Sequence, residues 1–85
     1  MTIRPTVMVE PIKAGVAARA IEIGIACHGR DEDRALAALR ATVGIWARAL
    51  ASGGDLEGIL ARLGIVWEPG SDQLNVVPDV QHAIQ

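Results

Sequence analysis

The apolar positions Leu36, Leu39, Val43, Trp46 and Leu50 recur at spacings of three and four. At about 100° per residue that spacing keeps them on one side of an α-helix, so the pattern predicts a helix over residues 31–51. Asp31 is placed to cap it by accepting a free backbone N–H, and Glu32 and Asp33 suit the positive end of the helix dipole. A helix striped in this way has an apolar face to bury, so the flanking chain must supply a matching surface.

Upstream the period changes. The run TVMVEPI at Thr6–Ile12 is rich in β-branched residues and reads as a strand. Pro11 lacks an N–H, which predicts a sheet edge at that end. Lys13, Ala14 and Gly15 form a turn, residues 16–21 (VAARAI) return as the second strand of a hairpin, and Glu22, Ile23 and Gly24 break it. Residues 25–28 (IACH) make a third strand before Gly29 and Arg30 turn the chain into the helix. The prediction is a three-stranded antiparallel sheet with one face under the long helix.

Downstream, Ser52, Gly53 and Gly54 supply the helix stop, and Asp55 caps a short helix through Leu63. Leu56, Ile59, Leu60 and Leu63 share a face of it, and Gly64 ends it. Residues 65–67 (IVW) are apolar, with Trp67 read as a core plug in preference to an interface anchor. Residues 69–72 are a turn cluster, 74–77 (LNVV) a final strand stopped by Pro78, and 78–85 a flexible C-terminal tail. The fold class is α+β, with one domain over residues 1–77.

Composition narrows the class. At 85 residues, with 51% hydrophobic side chains, two Trp and no Phe or Tyr, the core is aliphatic and small enough that self-association would help it. Eight basic and ten acidic residues give a net charge of −2, which argues against affinity built on neutralising phosphates and favours a basic protein partner. Cys27 is the sole cysteine, so no internal disulfide forms, and the start of the chain lacks a signal-peptide core. Cytoplasm is the expected compartment. Arg19, Glu22 and His28 interrupt the apolar runs short of the ~20 residues a membrane-spanning helix needs.

Several side chains invite a chemical reading. Cys27 and His28 adjoin, but neighbours on a strand point to opposite faces and cannot act as nucleophile and base. Residues 24–31 (GIACHGRD) nearly match a phosphate loop, yet Asp31 offers no hydroxyl to Mg²⁺, and Glu32 and Asp33 would repel the anion. Those acids fit a solvated helix cap better than a metal site, and His82 has no ligand partners at metal spacing. Arg30, Arg34, Arg40 and Arg48 lack the aromatic platforms of a nucleic-acid surface. Ile45 points opposite the helix stripe, and with Ala38, Ala41 and Ala49 it forms a candidate partner or oligomer contact.

The segment 16–50, VAARAIEIGIACHGRDEDRALAALRATVGIWARAL, resembles the N-terminal domain of HicB-like antitoxins, the inhibitory half of a toxin–antitoxin pair. The likeness is carried by Val-Ala-Ala-Arg-Ala leading to Glu22, and by Ile-Ala-Cys-His-Gly, where the family often has Ala-Ser-Gln-Gly. An acidic helix start with Ala35-Leu36 and Leu39 follows, similar to the family's Glu-Glu-Ala-Leu. The resemblance implies a β-β-β-α core related to a degenerate RNase H fold, dimeric or higher, that blocks a small basic RNA-cleaving toxin resembling HicA. It implies no cofactor, no metal and no catalytic residue.

Two departures qualify the match. Cys27, His28 and Asp31 stand where Ser, Gln and Thr are commoner, although hydrogen-bonding or capping ability is kept. The residues after Leu63 contain no basic recognition helix, so direct DNA binding of the kind many family members add is not expected. The competing class is a small RNA-binding or RNase H-like domain. It would need acids converging on Mg²⁺, and Glu10, Glu22 and Asp31 are the acids in or beside the three strands.

Overall fold

A computed structural model describes residues 1–70 and 72–83. In chain order it contains β1 (Thr2–Arg4), β2 (Thr6–Ile12), β3 (Gly15–Ala20), β4 (Ile25–Gly29), α1 (Glu32–Ser52), α2 (Leu56–Leu63), β5 (Val66–Glu68), β6 (Asn75–Val76) and β7 (Asp79–His82). The fold is mixed α+β with two helices and two sheets. The larger sheet has four strands in the order β4-β3-β2-β7, where three were predicted, and a second sheet has the order β5-β1-β6.

The long helix forms as its pattern dictates. Asp31 accepts the Arg34 N–H at 2.9 Å, and its other oxygen pairs with the Arg34 guanidinium at 2.6 Å. At the far end, the Gly53 N–H reaches the Ala49 and Leu50 carbonyls. Leu36, Leu39 and Val43 are buried against Val7 and Val9 of β2 and Ala18 and Ala20 of β3. A second core gathers Ile3, Ala47, Leu56, Leu60 and Ile65, and Trp67 packs on it half-buried. Trp46 and Ile23 touch both cores and join them.

β1 and β2 form one line of chain through Pro5, and β6 and β7 a second through Val77 and Pro78. The two lines run parallel in one continuous register. Each partner lies 73 positions further along the chain: Thr2 with Asn75, Ile3 with Val76, Thr6 with Asp79 and Val9 with His82. Amides of the later line donate throughout, from Asn75 to Met1 O (2.9 Å), Val77 to Ile3 O (2.9 Å), Asp79 to Pro5 O (2.8 Å) and Ala83 to Val9 O (3.0 Å). The two sheets are thus joined by a single ribbon.

That ribbon corrects several expectations. Residues 79–82, read as part of a flexible tail, form β7 instead, because Val80 packs on the first core and the backbone completes a ladder with β2. Ile84 and Gln85, the end of that expected tail, lie outside the described residues, as does Ser71 in the expected turn. The strand expected over residues 74–77 is β6, two residues long, Asn75–Val76. β2 is internal, flanked by β3 and β7, and Pro11 is accommodated because the β7 pairing ends at Val9. The Thr6 carbonyl accepts from Ile21 on the β3 side, so strand alternation turns the Pro11 nitrogen to the other side, beyond the end of β7. Asp55 precedes α2 but makes no side-chain cap; its carboxylate pairs with Arg62 at 2.9 Å.

Candidate functional site

The candidate contact lies on the outward side of α1. Ala41, Ile45 and Ala49 are exposed and Ala38 is half-buried. Ile45 is 65% exposed, more than any other large apolar side chain among the described residues. Thr42 locates this flank relative to the sheet. Its hydroxyl donates to the Ala38 carbonyl at 2.9 Å and lies 3.5 Å from the Cys27 sulfur in β4. Thr42 is Ala38's neighbour one turn on and adjoins Ile45 on the helix surface, so the flank stands above β4, an edge strand of the larger sheet.

The charge on this flank is not acidic. Arg34 is neutralised by Asp31, while Arg48 lies across Gly44 and makes no ion pair among the described residues. Other acids are engaged elsewhere: Glu68 with Arg4 at 2.7 Å, Asp55 with Arg62, and Glu32 with His82 at 2.7 Å. The net charge of −2 is therefore not concentrated where the exposed isoleucine sits.

In β4 the alternation expected from sequence is present. Cys27 packs toward the first core and Thr42, whereas His28 is exposed on the opposite face. The three acids considered for Mg²⁺ do separate jobs. Both Glu22 oxygens accept the Thr6 N–H, at 2.9 and 3.1 Å, and close the end of the β2–β3 pair. Asp31 caps α1, and Glu10 lies opposite Ala17 on the sheet face away from the helix. Among the described residues, no three His, Cys, Asp or Glu side chains are grouped so as to hold a metal ion. Sequence reading missed the Glu32–His82 pair because its partners are 50 positions apart and meet only through β7.

A shallow groove of about 350 Å³ lies at the junction of the two sheets, lined by Arg4, Thr6, Val66, Val77, Pro78 and Asp79. Its one guanidinium is already held by Glu68. Among the described residues, no helix is long and apolar enough to cross a membrane. The chain matches no protein-family model, no curated protein and no solved structure.

Proposed function

We propose that this protein is a non-enzymatic interaction module resembling a HicB antitoxin, which binds a small basic RNA-cleaving toxin similar to HicA and occludes its working face. The observation that supports this reading best is the run β2-β3-β4-α1, whose last three elements span the residues that carry the HicB likeness. That order agrees with the β-β-β-α core that the resemblance implies. The separate employment of Glu10, Glu22 and Asp31 favours a binding module over an RNase H-like nuclease, whose chemistry needs carboxylates gathered around metal. The cytoplasm is its place of action in this reading. An inhibitor of a different nuclease is the same reading with another partner.

Mixing the purified protein with the product of a small basic reading frame adjacent to its gene tests this directly. Co-elution in a complex of fixed stoichiometry is the expected result; separate elution together with undiminished RNA cleavage would sink the toxin-specific reading.

A further inference from the structure

Of the two unpaired edges of the larger sheet, β4 and β7, the β4 edge is the unobstructed one. In the β2–β3 ladder Ile21 donates to Thr6, so odd-numbered residues of β3 face β2 and even-numbered ones face β4. Ala18 pairs with Cys27, Ala20 with Ile25 and Val16 with Gly29, which places Ile25, Cys27 and Gly29 on the bonded side of β4. The N–H and C=O groups of Ala26 and His28 therefore point away from the sheet, with no partner among the described residues. Other edges are obstructed or short. The line through β6 and β7 is interrupted by Pro78, and His82 is tied to Glu32, while β5 spans three residues and β6 two.

We infer that β4 pairs antiparallel with β4 of a second copy of this chain, about a two-fold axis at Cys27. In that register Ala26 of each copy faces His28 of the other, so two donors and two acceptors per copy are all satisfied by four hydrogen bonds. An isologous contact requires this self-complementarity. The helix geometry agrees with it independently. α1 lies over β3 and β4, and strands about 4.8 Å apart would bring the two α1 helices within about 10 Å of each other, a normal packing distance.

The Cys27–Thr42 contact puts Thr42 near the axis, so Ala38 of one helix meets the neighbourhood of Ile45 of the other, with Ala49 extending the seam. Small side chains are what so close an approach needs, and the pairing covers the most exposed isoleucine. The unpaired Arg48 makes the same flank a poor seat for a basic toxin, which favours a second copy as the occupant. This inference does not rest on the toxin-binding reading.

The test uses sedimentation of the full chain and of Ala26→Pro. The Ala26 N–H faces outward, so proline there removes a bond across the interface and none within the monomer. Wild type is expected to sediment at twice the 8.9 kDa chain mass, and folded Ala26→Pro at the chain mass.

Cys27 provides a second readout. A non-hydrogen-bonded antiparallel pair has Cα atoms about 4.5 Å apart, within disulfide range. Diamide, which takes up the two thiol hydrogens, should link wild type into a covalent dimer but not Cys27→Ser. A monomeric wild type, a folded Ala26→Pro that remains dimeric, or a dimer that diamide fails to link would each overturn the inference. If Ala26→Pro does not fold, the cross-linking of wild type decides.

Discussion

Pro5 and Pro78 stand opposite each other in the parallel ribbon that joins the two sheets, each withholding a donor on a different side of its strand. Pro5 is fully buried and its carbonyl accepts from Asp79, but its nitrogen faces the Val77 position and has nothing to donate. The Pro78 nitrogen faces the free edge, where a missing donor costs the fold nothing and discourages a further strand. At this point the first line of chain exchanges β5 for β3 as its antiparallel neighbour while keeping its register with the second line.

This arrangement predicts an alternating pattern of amide exchange at the C-terminal end. The Asp79 and Ala83 amides, bonded to Pro5 and Val9, should be protected, and those of Val80 and His82, which face the open edge, should exchange quickly. Uniformly fast exchange beyond Pro78 would show a tail in place of β7. On the same strand, Val80→Asp should cost about 2 kcal/mol or more by putting a carboxylate against the core. Gln81→Asp, on the exposed face, should stay within about 0.5 kcal/mol in urea unfolding.

Gly15 begins β3 at φ +146°, and a Cβ there would run into the Gly29 carbonyl oxygen of the neighbouring strand. Gly15→Ala should therefore destabilise by about 1–3 kcal/mol, seen as a lower urea midpoint at unchanged slope.

The head of α1 carries two polar links of different value. Asp31→Ala removes the N-cap bond to Arg34 and should cost about 1 kcal/mol. His82→Ala breaks a solvent-exposed pair with Glu32 and should cost less than about 1 kcal/mol. A thermal-melting series that reversed this order would mean that the His82 tether, not the cap, secures the start of the helix.

Much of this architecture is legible in the chain itself. α1 announces itself by five stripe positions and a capping acid, and the β2–β3 hairpin by β-branched runs around Lys13 and Ala14. β1 and β7 are not legible, since strands of three or four residues show no period, and β6, expected as a strand over 74–77, gives no sign of its parallel partner 73 positions away. The candidate contact is half-legible. Ile45 betrays itself as an apolar residue opposite the stripe, but its position above β4 depends on which strands the helix covers, a tertiary fact that surfaces only in the Thr42–Cys27 contact. The outward groups of Ala26 and His28 likewise follow from ladder register, to which their own side chains give no clue.

The surface reading predicts that Ile45→Arg leaves the monomer's melting temperature nearly unchanged, because the side chain is exposed, while weakening self-association at least tenfold in sedimentation equilibrium. A large loss of thermal stability would instead place Ile45 in the monomer's own core.

The proposed function is tested most directly by titrating this protein into an RNA-cleavage reaction run by the adjacent small basic gene product. Binding and occlusion predict that cleavage falls linearly to zero at a fixed whole-number stoichiometry, unaltered by Glu10→Gln or Glu22→Gln in this chain. Cleavage that persists at excess protein, or Mg²⁺-dependent RNA cleavage by this protein alone that those substitutions abolish, would contradict it.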